Sequence, residues 1–130
     1  MDEVAPGRRL RGEGGATAPM VVLAVMALVT LAAVGVLALA YSAAARAVRA
    51  AADLVAVSGA QTHSSGGDAC DEARRIAGRN DVRLAGCEVT GDLIDFVVEV
   101  RVTRGVGWRL PGMPEQVAAV AYAGNVTGLP

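Results

Sequence analysis

The chain has no lysine, one histidine, one tryptophan, one phenylalanine, two tyrosines and two cysteines among 130 residues, and each scarcity closes off some chemistry. No GxSxG, GxxxxGK[ST] or HExxH run occurs. The single histidine, His63, has no carboxylate or thiol at ligand spacing, so it supplies neither a triad nor a metal site and reads as a solvent-exposed spacer. The expectation is a protein that is not an enzyme, with no catalytic residues, no cofactor and no metal. All the basic residues are arginine. Twelve of them against thirteen acids give a net charge of −1, which leaves no basic face or tail for nucleic acid. Aromatics make up only 3%, so a core outside any membrane must be built from Val, Ile, Leu and Ala.

The longest absence is local: from Gly14 to Ala45 there is no charge at all. Within that run Pro19–Tyr41 is rich in Val, Leu, Ala and Met, and as a helix these residues span roughly 34 Å at about 1.5 Å each. That length crosses the hydrocarbon of a bilayer. A buried helix of a soluble domain rarely needs so many uncharged residues, and the rest of the chain is too small to wrap one. A secretory signal cut beside Ala43-Ala44-Ala45 is the rival reading, but a signal's apolar region is usually about 7 to 15 residues.

Residues 1–13, with Pro, Gly, Arg and acids, read as a short disordered leader. The helix is expected to begin around Gly14-Gly15-Ala16-Thr17 with Pro19 in its first turn. It should run to residue 60, because Ser42–Gly59 is mostly Ala, the best helix former. In that outer half Val48, Ala52 and Val55 share a stripe, while Arg46, Arg49 and Asp53 face elsewhere. Ala40 and Ala44, and again Ala43, Ala47 and Ala51, repeat every four positions. This is the spacing of a helix-packing seam, and equally a spacing that alanine-rich composition produces by itself.

Three arginines before the apolar run and two shortly after it slightly favour a cytoplasmic N-terminus. The cysteines add a second argument. Cys70 and Cys87 form no CxxC and have no second ligand pair, so a disulfide fits them better than a metal or redox site, two unrelated buried thiols being the alternative. Such a bridge stabilises a small domain by about 3 kcal/mol and needs an oxidising compartment. The expected topology is single-pass in the cell membrane, C-terminal domain outside.

Residues 61–67, QTHSSGG, read as a flexible linker, and 68–130 as a small α+β domain. Asp68 is placed to cap a short helix to about Arg79, with Asp71 and Glu72 early, Arg74, Arg75 and Arg79 late, Asn80 as its stop, and Cys70 on the apolar face. Val82–Thr90 and Leu93–Thr103 read as a hairpin turning at Gly91-Asp92, with a bulge at Gly86 restoring the alternation for Cys87 and Val89. In the second strand Ile94, Phe96, Val98, Val100 and Val102 alternate with polar residues, and Asp95 and Glu99 fall on the solvated face. Arg104–Pro114 reads as a loop in which Trp108 anchors to the core or to a partner. Val117–Ala123 is ambiguous between helix and strand, its alternation favouring a strand. Asn125-Val126-Thr127 has the form of a glycosylation acceptor, a triplet common by chance.

The leader, Gly14-Gly15-Ala16-Thr17-Ala18, the long apolar helix and the Arg49–Ala56 block (RAAADLVA) together resemble the TadE/TadG-like family of tight-adherence (Flp) pilus assembly, especially its small actinobacterial members. The likeness continues through Gly67-Asp68-Ala69-Cys70, Asn80, Leu84, Cys87 and Val97-Val98-Glu99-Val100, covering about residues 11–103. It implies a TadE-like minor pilin or pseudopilin that serves a pilus or related secretion system and packs with other pilin-like or Tad secretion proteins through its N-terminal helix. It also implies a leader removed at a glycine, here Gly14 or Gly15. The wider family often has Glu at the fifth position after cleavage; this chain has Pro19 or Met20 there. A membrane-tethered extracytoplasmic binding module, or a secretion accessory that never enters a fibre, is the alternative function.

Overall fold

A computed structural model describes residues 14–127 of the chain; the leader expected over 1–13 lies outside the described residues. The elements run α1 (Gly14–Ser64), α2 (Ala69–Arg79), β1 (Arg83–Gly91), β2 (Phe96–Gly105) and β3 (Gln116–Asn125). The fold class is α+β: one long apolar helix, a short helix and a three-stranded antiparallel sheet in the order β1-β2-β3. Two compact units divide at Ala40.

The first unit holds the α1 residues up to Leu39. Its side chains from Met20 through Leu39 are nearly all exposed, and this stretch supplies a window of mean hydropathy 2.8 with nothing buried. A surface of that kind is unstable in water, and its length matches a bilayer, so α1 is a candidate transmembrane helix. Pro19 sits inside α1, five residues past its start rather than in the first turn, so the backbone hydrogen bond its N–H would have made is missing there.

In the second unit, from Ala40 onward, the sheet buries one face. Phe96, Val98, Val100 and Val102 of β2 point inward with Val117 and Ala121 of β3, as the period of two dictates. Val48, Ala52, Val55 and Ala56 of α1 and Ala69, Ala73 and Ala77 of α2 complete the cluster. The stripe read from spacing on α1 is therefore the stripe that packs. Fully burying an aliphatic side chain such as Val98 or Val100 stabilises by roughly 1.5–3 kcal/mol. Among the described residues no polar side chain is buried.

Asp68 caps α2 as expected: one carboxylate oxygen accepts from the N–H groups of Cys70 and Asp71, each at 3.0 Å, and Asn80 closes the other end. The bulge falls between Leu84 and Gly86, leaving Ala85 without a cross-strand partner and putting Cys87 opposite Val100. Cys70 and Cys87 are disulfide-bonded, their Cα atoms 5.8 Å apart, and the bridge ties α2 to β1.

Three further expectations need correction. The 61–67 segment is not a linker, because α1 continues to Ser64, beyond the expected boundary at 60. Gly66 N–H donates to the His63 carbonyl at 2.9 Å and Gly67 N–H to the Thr62 carbonyl at 2.8 Å, with Gly66 at φ +83°. This is a Schellman cap, so the glycines that suggested flexibility are the helix stop. The hairpin turns over Asp92–Asp95 rather than at Gly91-Asp92, since Gly91 still pairs with Phe96; Leu93, Ile94 and Asp95 leave the strand, and both apolar side chains are exposed. His63, expected as a free spacer, is half-buried against Phe96, ring centroids 4.6 Å apart.

Candidate functional site

Among the described residues no group of three or more His, Cys, Asp or Glu side chains is placed to hold a metal ion. The surfaces that distinguish the molecule are apolar. The largest is the uncovered run of α1 from Met20 to Leu39, which includes Leu23, Leu28 and Leu31.

A second surface lies on α1 beyond Ala40, and it divides the alanine seam read from sequence. Ala51 is buried in the chain's own core, and Ala40 and Ala44 are half-buried beside the β2–β3 loop. Ala43 and Ala47 remain exposed, and with Ala50, Leu54 and Val57 they continue a stripe at spacings of four, three, four and three. Leu54 is 49% and Val57 46% exposed, with Arg46, Arg49 and Asp53 among them, also exposed. The sequence reading placed Ala43 and Ala47 on one seam with Ala51 and did not extend it to Leu54 and Val57, because a helix this rich in Ala has weakly apolar residues on every side and spacing alone does not say which of them the chain's own core takes.

The third surface is a groove of about 280 Å³ in the second unit, between Ala40, Ala44 and Val48 of α1 and the start of the β2–β3 loop at Val106 and Trp108. The loop is ordered by its own backbone. Val106 N–H donates to the Glu115 carbonyl at 3.0 Å, closing its neck, and Met113 N–H donates to the Leu110 carbonyl at 3.1 Å. Pro111 and Gly112 are the central residues of that turn, and Gly112 has φ +85°, which is the type II pattern. Trp108 is 42% exposed, and Leu110 and Met113 are similarly open. The prolines and glycines of Arg104–Pro114 marked a loop in the sequence; that Trp108 lines one groove with Ala40 and Ala44 had no local signal.

At the other end of the sheet the Asp92–Asp95 turn is braced by polar contacts. The Asp92 carboxylate accepts from the N–H groups of Asp95 and Ile94, each at 2.8 Å, and these bonds hold its carboxyl below the usual carboxylate range. Asp95 is lowered in the same way, first by the Thr127 hydroxyl and then by the Thr127 N–H at 2.7 Å. Asn125 Nδ2 donates to the Ile94 carbonyl at 3.1 Å, and His63 Nε2 lies 3.1 Å from the Asp92 carbonyl. The Asn125-Val126-Thr127 triplet thus serves as a clasp between β3 and the hairpin turn. Asp95 belongs to this clasp and not to the strand. On α2, Arg75 pairs with Glu72 and lowers its carboxyl, while Arg74 meets Asp71 at 2.9 Å; the second pair is exposed and the first open to solvent on its arginine side, so both add little stability.

Gly14 and Gly15, the residues at which leader removal is expected, open the first turn of α1. Comparison of the chain with family models, with curated proteins and with solved structures returns no match.

Proposed function

We propose that the protein is a non-enzymatic, TadE-like minor pilin or pseudopilin that assembles, through α1, with other pilin-like subunits of a tight-adherence pilus or related secretion system. The observation that carries this reading is the uncovered apolar stripe of Ala43, Ala47, Ala50, Leu54 and Val57 on the half of α1 whose other side already packs on the sheet. A helix half-committed to its own domain, with a second apolar stripe left open beside Arg46, Arg49 and Asp53, is suited to pack against a second helix, with small residues permitting close approach. The candidate transmembrane run ahead of it holds such a subunit in the membrane before assembly. In this reading the N-terminus is cytoplasmic and the C-terminal unit lies outside, where an oxidising compartment sustains the Cys70–Cys87 bridge.

The test is the intact mass of the protein from its native membrane, combined with fractionation of sheared fibres. Loss of residues 1–14 or 1–15 that depends on a prepilin peptidase, with the chain in the fibre fraction, supports the reading. A full-length chain retained in the membrane refutes incorporation and favours the tethered binding module. Pro19 or Met20 at the position where the wider family often has Glu is the feature that favours that second reading.

A further inference from the structure

We infer that the β2–β3 loop, Val106–Glu115, lies in the headgroup layer of the same bilayer that α1 enters, with Trp108 as its interfacial anchor. The inference rests on α1 entering a membrane and is independent of fibre assembly. The uncharged run Gly14–Ala45 is longer than a hydrocarbon core, and centring about 20 residues of helix within it places the hydrocarbon boundary near Ala40. Ala44 then lies about 6 Å farther along the helix, inside the interfacial layer. Ala40 and Ala44 are the residues that share a groove with Trp108 and Val106. The loop is therefore held at the depth where the bilayer changes from hydrocarbon to headgroups.

Its chemistry suits that depth. Trp108, Leu110 and Met113 are exposed apolar side chains on a loop closed at its neck and turned at Pro111-Gly112, so their presentation costs little further ordering. Indole at the membrane–water boundary keeps its ring in an apolar layer and its N–H among polar groups. The exposed Arg104 and Arg109 flank Trp108 and are positioned by sequence to meet phosphates, Arg109 also lying 3.8 Å from Glu115. Water alone would leave this cluster with no apolar covering.

Trp108 is the only tryptophan, which makes the experiment direct. The full chain is reconstituted in phosphatidylcholine vesicles whose acyl chains carry bromine either near the headgroup or near the chain end. The expected result is emission at short wavelength, strong loss of signal with the shallow bromines, weak loss with the deep ones, and protection from aqueous iodide. A second protein, carrying Trp108→Phe and Leu31→Trp, reports α1 itself and should respond to the deep bromines. If the helix reporter is quenched while Trp108 is not and remains open to iodide, the loop inference is overturned and the membrane helix stands. If neither reporter is quenched, both fall. If protection of Trp108 grows with the protein-to-lipid ratio, a second copy covers the loop and the bilayer assignment is overturned.

Discussion

Removing the disulfide should loosen the sheet far more than its small size suggests. The bridge joins Cys70 on α2 to Cys87 on β1 across a sequence separation of 17. Closing a loop of that length withdraws conformational entropy from the unfolded chain equivalent to about 3 kcal/mol at 25 °C. The folded side offers little to offset such a loss, because the core is assembled from Val and Ala side chains with Phe96 the one aromatic in it. The double variant Cys70→Ala/Cys87→Ala, and the reduced natural chain, should each open more often by about two orders of magnitude, since 1.4 kcal/mol is tenfold. Circular dichroism would be dominated by α1, so the better assay is hydrogen exchange of β2 in the full chain in lipid nanodiscs. β2 is the central strand, paired to β1 on one side and β3 on the other, and its amides exchange only when the sheet opens. Exchange at Val98, Val100 and Val102 that is as slow without the bridge as with it would refute the entropic account. Fast exchange in the variant but not in the reduced chain would assign the effect to lost side-chain packing instead.

Val100→Ala removes two methyl groups from a fully buried side chain in the core that the sheet shares with α1 and α2 and should cost about 2 kcal/mol by the same exchange readout; a change confined to β1 would contradict the shared core. Gly124→Ala would set a Cβ 2.0 Å from the Phe96 carbonyl oxygen, so β3 must shift at a cost of roughly 1–3 kcal/mol, seen as accelerated exchange along β3. The Asp92–Asp95 clasp is acid-sensitive. Both carboxyls are lowered on folding, so their contribution is present above the ordinary Asp range and is lost as pH falls through the folded values, below about pH 4. Thr127→Val should raise the Asp95 pKa in an NMR titration, and an unchanged titration would sever the link. Leu31→Arg places a charge midway along the apolar run at about 2.5–3.5 kcal/mol, so the fraction of chain resisting alkaline extraction from membranes should fall.

The parts fixed by local physics were legible in the chain itself. An uncharged apolar run long enough for a bilayer, an Asp ahead of an amphipathic segment, and the alternation from Phe96 to Val102 each depend on neighbours within one element. They specify α1, α2 and β2 without reference to anything distant, and the phase shift at Gly86 even located the bulge. The glycine pairs were harder, because Gly supports a flexible joint, a turn or a helix cap with equal ease. Only the carbonyls of Thr62 and His63, presented by a helix that had already continued past residue 60, made Gly66-Gly67 a cap. His63 was decided by tertiary structure in the same way, since its partners Phe96 and Asp92 lie about thirty residues away in sequence. The alanines of α1 divide for a like reason. Composition makes Ala43, Ala44, Ala47 and Ala51 interchangeable, and only the sheet's choice of one side of the helix buries Ala51, half-covers Ala44 and leaves Ala43 and Ala47 open. Periodicity states which residues share a face; which face is left for a partner is settled by what the chain has already packed against itself.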